Sequence, residues 1–158
     1  MDQEANPVKK ETKEIAYVLI GEVKNGILLA KMSWRTRGTE SSVLFDGARV
    51  LAREESHGDL VGFFHTHPEG FTQPSKRDDD TMAAWCFCFG KPLLCAISTS
   101  AGLRAWIYGA RTTGSACAGT TDAGATSAGA AYAGVTSARR EITRVQLFNK
   151  TILIAVLD

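Results

Sequence analysis

Leu60-Val61-Gly62-Phe63-Phe64-His65-Thr66-His67-Pro68-Glu69-Gly70-Phe71-Thr72-Gln73-Pro74-Ser75-Lys76-Arg77-Asp78 carries two histidines and then, beyond a turn, a serine and an aspartate. Leu60 to Phe64 is a short apolar run with two aromatics, which predicts a buried strand leading into His65. Side chains on a strand alternate faces, so His65 and His67 project to the same side. Pro68, Gly70 and Pro74 then interrupt regular structure, and Ser75 opens a segment with helical character. Positions three apart share a helix face, so Ser75 and Asp78 can point back together toward the imidazoles. Two imidazole nitrogens and one carboxylate make the protein's share of a catalytic zinc site, whose fourth position is left to water.

Each part also has an ordinary structural use. Ser75-Lys76-Arg77-Asp78 reads as a helix N-cap followed by an acid at the third helical position, a pattern that needs no chemistry. A His-x-His pair on a strand need not bind anything. The two signals adjoin across a Pro/Gly-rich turn, and that adjacency favours a metal. Capping and ligation are compatible, since Ser75 can begin the helix while its first turn presents Asp78. Asp79 and Asp80 are rival ligands, and both also suit a helix first turn, where negative charge is favourable.

The pattern resembles that of the JAMM metalloproteases, also called MPN-plus. Their signature is a glutamate, then at a distance His-x-His-Pro, seven intervening residues after the second histidine, a serine, and an aspartate three positions on. His65-Thr66-His67-Pro68 and Ser75-Lys76-Arg77-Asp78 match at those spacings. The family's glutamate opens an apolar strand that ends in glycine seven residues later, and Glu14-Ile15-Ala16-Tyr17-Val18-Leu19-Ile20-Gly21 has that form. Glu22 is the rival, but it follows the strand instead of preceding it. The resemblance covers Glu14 to Tyr108.

That resemblance implies an α/β (α+β) fold, a curved mixed β-sheet with flanking helices of the MPN/JAB, cytidine-deaminase-like kind. It implies Zn2+ held by His65, His67 and Asp78, with Glu14 as proton acceptor and Ser75 as a hydroxyl donor to the developing oxyanion. Zinc lowers the pKa of its water to roughly 7, which makes hydroxide available at neutral pH. JAMM enzymes cut isopeptide or peptide bonds after the C-terminal Gly-Gly tail of ubiquitin or a ubiquitin-like protein. A form with little chain ahead of the glutamate looks like the bacterial branch, whose members accompany ubiquitin-like conjugation systems, including antiphage ones. A ubiquitin-like protein or its conjugate is therefore the expected partner. A sulfur-carrier or phage-tail precursor would suit the same chemistry. A metal-free MPN scaffold and the DNA-repair-associated branch are the alternatives of a different class. The intact ligand set argues against the scaffold.

Composition sets the outer limits. The 158 residues are 44% hydrophobic, enough for one domain with a core and too few for much of a second. A formal charge of +1 offers no basic field for nucleic acid or an anionic membrane. Met1 to Lys13 is polar and lacks the apolar segment of a signal peptide, and no apolar run approaches a membrane span, so a cytoplasmic protein is expected. Cys86, Cys88, Cys95 and Cys117 lack paired Cys-x-x-Cys spacing and read as reduced, packed thiols, with Cys86-Phe87-Cys88 a weak second metal candidate.

In order along the chain, residues 1–13 form a tail, 14–108 the catalytic core, 109–138 a linker or insertion, and 139–158 strands that complete the same domain. Ile15 to Val23 and Ile27 to Ser33 flank Asn25-Gly26, a hairpin signal. Trp34 to Ser41 reads as an exposed loop and Val43 to Phe45 as a short strand. Asp46 caps a helix that ends at Gly58, with Val50 and Leu51 turned inward and Arg53, Glu54 and Glu55 outward. His57 is a solvated helix-end residue without chemistry. Leu93 to Ser98 and Leu103 to Tyr108 predict a second hairpin. From Gly109 to Gly134 glycine recurs every five residues, a period of neither helix nor strand, which favours a flexible linker over an ordered repeat packed on the sheet. Arg139 to Asp158 regains pattern as two strand-like runs about Asn149-Lys150.

Overall fold

The computed structural model describes residues 14–37, 45–109 and 138–157. The tail at 1–13, the Ala-Gly segment and Cys117 lie outside the described residues. β1 (Ile15–Lys24) and β2 (Ile27–Arg37) form the expected hairpin. Asn25 and Gly26 take φ of 51° and 73°, the positive pair that a tight two-residue turn with the native strand twist requires. α1 (Gly47–His57) starts at Asp46, whose carboxylate accepts the Arg49 N–H at 3.2 Å, and stops at left-handed Gly58. β3 (Leu60–Thr66) leads to α2 (Lys76–Phe89) and on to β4 (Leu93–Thr99). β4 lies parallel to β3, and a parallel neighbour needs such a crossover. β5 (Gly102–Tyr108) closes the second hairpin.

The C-terminal stretch holds three strands instead of two: β6 (Arg139–Ile142), β7 (Val145–Phe148) and β8 (Ile152–Val156). β6 is the correction. Four residues of mixed charge leave little strand signal in sequence, and β6 exists because β5 offers it an edge. The eight strands run in the order β6-β5-β4-β3-β1-β2-β8-β7, mixed in direction. Strand twist accumulates across so many members, and the sheet curls until β7 comes back beside β5.

The curl divides the core. Leu19, Leu28, Phe64, Leu94, Ala105, Ile142 and Leu153 fill its inside, where no described helix contributes. Val50 of α1 and Met82 and Cys86 of α2 cover the other face, against Val18, Phe63, Cys95 and Tyr108. Val18 and Leu19 thus go to opposite cores, as adjacent strand positions must. Gly62 has no room for more: a Cβ there would sit 2.0 Å from the Leu94 carbonyl oxygen. That close approach keeps β3 tight between its neighbours.

Three further expectations are corrected. Trp34 to Arg37 is strand, not exposed loop, because β2 continues pairing with β1 through Arg37 opposite Ile15. The pairing slips between Tyr17 and Leu19, which swings Trp34 to the helix side, where the Arg49 guanidinium lies 4.5 Å from its ring. Phe45 is not in a strand but packs on Phe63 at 4.5 Å, and Val43 and Leu44 lie outside the described residues. Leu51, Arg53 and Glu54 are only half-buried, while Val50 is the inward residue of α1. Arg53 is engaged by Asp59 and Glu54 by Lys91. No helix among the described residues is long and apolar enough to cross a membrane.

Candidate metal centre

His65 is the second-last residue of β3, on the helix side of the sheet two positions from Phe63, and is buried at 5% exposure. His67 lies just past the strand, held by its N–H to the Ser98 carbonyl at 3.0 Å. The ladder with β4 therefore extends through both histidines, and their side chains share a face. Their Nε2 atoms are 2.9 Å apart. Nδ1 of His67 faces the Phe71 carbonyl at 3.3 Å. Donation there leaves Nε2 with its lone pair, the usual way a ligating imidazole is oriented.

Asp78 is the third helical residue of α2, and it does two things. Its carboxylate accepts the Ser75 N–H at 2.8 Å while Ser75 Oγ accepts the Asp78 N–H at 3.1 Å, a complete capping box. The same carboxylate puts Oδ1 3.2 Å from His65 Nε2 and Oδ2 3.1 Å from His67 Nε2. Burial alone would raise the Asp78 carboxyl, but the hydrogen bonds to His65 and His67 win and hold it well below the usual carboxylate range. Burial pulls His67 the other way, and Asp78 reverses that to a net rise.

The donor set fits a metal. Ligands of a tetrahedral zinc at about 2.0–2.1 Å stand about 3.3–3.4 Å from one another. The observed separations of 2.9, 3.1 and 3.2 Å are slightly tighter than those edges. Two neutral nitrogens and one anionic oxygen, gathered in a buried corner, suit a divalent ion of borderline softness. These three are the metal-capable group found among the described residues.

Glu14 precedes β1 and is buried, at 8% exposure. Ala16 pairs with His65, so two steps further along this antiparallel ladder Glu14 comes opposite His67 on the same face. The Ile15 N–H to Thr66 Oγ1, 3.0 Å, fixes that end of the pair. Burial raises the Glu14 carboxyl above its ordinary value, and the two histidines oppose the rise. Glu22 stands eight residues along β1, roughly 26 Å away at strand rise, exposed and opposite Leu29. Glu14, His65, His67, Ser75 and Asp78 together line one cavity of about 640 Å³, with Phe45, Phe63, Phe71 and Met82 as its apolar wall.

The rivals are occupied elsewhere. Asp79 accepts the Tyr108 hydroxyl at 2.6 Å and an Arg139 N–H, and Asp80 pairs with Lys76. His57 is exposed and bonded to Ser56. Cys86 is buried, its thiol pushed up to about 12 by burial, and serves the core; Cys86, Cys88 and Cys95 are in no disulfide.

The family described as prokaryotic homologs of the JAB domain matches residues 5–108. The chain belongs to that family. The α+β fold with a curved mixed sheet and flanking helices is the JAB architecture that the sequence resemblance implied. No curated protein matches the chain. JAB domains include metallopeptidases of the JAMM type, and this JAB domain brings together a histidine pair and an aspartate that could bind a metal. Sequence reasoning did not single out Tyr108, Arg104, Arg139 or Phe71. The alternation Arg104-x-Trp106-x-Tyr108 was the available signal for the first two.

Proposed function

We propose that this protein is a zinc-dependent peptidase or isopeptidase that hydrolyses the amide bond after the C-terminal tail of a ubiquitin-like protein. The observation that carries the reading is Glu14: a buried carboxylate, raised by its burial, set across the β1–β3 ladder from the two histidines and lining the same cavity as Asp78. When bound, zinc would supply a water acidified to a pKa of roughly 7 and a Lewis acid for the scissile carbonyl. Glu14 accepts the water's proton and returns it to the leaving amine, the work of a general base that becomes a general acid. Ser75 keeps its hydroxyl hydrogen free, because in the capping box its oxygen accepts, and it can donate to the oxygen on which charge develops. His65, His67 and Asp78 would hold the ion.

The substrate assignment rests on family resemblance. The cavity accords with it, since about 640 Å³ beside the donors lies within the size range of ligand-binding pockets. The test is incubation of the zinc-loaded protein with ubiquitin-like proteins fused to a reporter, alongside sulfur-carrier adducts, with mass spectrometry of the products. Cleavage directly after the tail is expected. Stoichiometric zinc without cleavage of any fusion would overturn the substrate class, and a protein that takes up little zinc would be a scaffold.

A further inference from the structure

β6 lies beyond the part of the chain that matches the family, yet its side chains reach both flanks of the metal centre. In the β5–β6 ladder Tyr108 faces Arg139 and Trp106 faces Glu141. Period two therefore places Arg104, Trp106 and Tyr108 of one strand and Arg139 and Glu141 of the other on a single face. Trp106 and Tyr108 belong to the helix-side core, so that face looks toward α2.

Two chains of contacts leave it. Arg139 and the buried Tyr108 hydroxyl both donate to Asp79 Oδ1, the residue next to Asp78 in the first turn of α2. Glu141 Oε1 accepts Arg104 Nε at 2.9 Å, and Arg104 Nη1 donates to the Thr72 carbonyl at 3.0 Å. The neighbouring carbonyl, that of Phe71, is the one facing His67 Nδ1. The Arg104 guanidinium, 5.0 Å from the Trp106 ring centre, is itself held in place.

We propose that β6 is a positioning element of the metal centre: Arg139 steadies Asp78 through Asp79, and Glu141 steadies His67 through Arg104 and the backbone of Phe71 and Thr72. Neither residue is a ligand. Partners beyond the ligands commonly change metal affinity by about 10- to 100-fold when removed, because each ligand must stay in one orientation. The inference rests on the metal-dependent function proposed above, so its test needs a readout that hydrolysis does not supply.

Zinc affinity by chelator competition should fall by about 10-fold or more in Arg139→Gln and in Glu141→Gln. Because Arg139 acts through Asp79, Arg139→Gln should add little in an Asp79→Asn background. Arg139→Lys, which keeps a donor for Asp79, should recover much of the loss and serves if the glutamine variant folds poorly. In the metal-free protein, hydrogen exchange over residues 68–80 should quicken in the same variants. Folded variants with wild-type zinc affinity and wild-type exchange would overturn the proposal. A wild-type protein that binds no zinc would instead sink the metallopeptidase reading, while the exchange measurement still decides whether β6 holds this corner.

Discussion

Oδ2 of Asp78 accepts the Ser75 backbone N–H at 2.8 Å while standing 3.1 Å from His67 Nε2, so one carboxylate both closes the helix start and completes the donor set. The cap gives Asp78 a fixed orientation without a metal. Folding of α2 and assembly of the site are thereby one event.

Ser75→Ala separates the two uses of that corner. Loss of an N-cap of this kind costs about 1 kcal/mol, which lowers the melting temperature of a chain this size by about 2–4 °C. Loss of a donor to the oxyanion slows cleavage on the order of 100-fold. Zinc content by mass spectrometry should stay stoichiometric, and a variant that loses zinc would make Ser75 necessary to the ligand arrangement.

Glu14→Gln should retain zinc and fold while slowing hydrolysis by at least about 100-fold, the usual range for removal of a general base. Glu22→Gln should leave the rate unchanged. An active Glu14→Gln beside an inactive Glu22→Gln would place the base at the wrong end of β1.

His67→Ala removes a donor that touches both partners of the set, at 2.9 and 3.1 Å. Metal and activity should disappear together in elemental analysis and a cleavage assay. Full occupancy in that variant would strike His67 from the ligands.

Away from the site, Asp59 is lowered below its ordinary value of 3.8, chiefly by the hydrogen bond from Arg53. A carboxyl depressed in the folded state stabilises the protein above its unfolded pKa, and that stabilisation fades as pH falls through the folded one. Asp59→Asn should therefore melt slightly below wild type near neutral pH, and the gap should narrow below pH about 4. Parallel melts of the two proteins from neutral to acid pH measure it, and a gap that widens toward acid would contradict the pairing.

The local parts were legible because short-range physics sets them. Asn25-Gly26 announced a hairpin, Asp46 and Gly58 bounded α1, and the apolar run before His65 announced β3. Residues 34–37 carry a loop pattern in sequence and are strand only because β1, about twenty residues earlier, pairs with them. β6 escaped for the same reason.

By itself the sequence determined which side chains gather into the metal-capable corner, since the spacing of His65, His67, Ser75 and Asp78 already places them on one strand face and one helix turn. Only the tertiary structure put Glu14 in the cavity with the histidines and left Glu22 exposed, occupied Asp79 and Asp80 elsewhere, and tied β6 to the surroundings of the site. Those outcomes depend on register and on contacts between segments far apart in the chain. Local propensity cannot encode them, because a one-residue shift of a strand exchanges every inward side chain for an outward one.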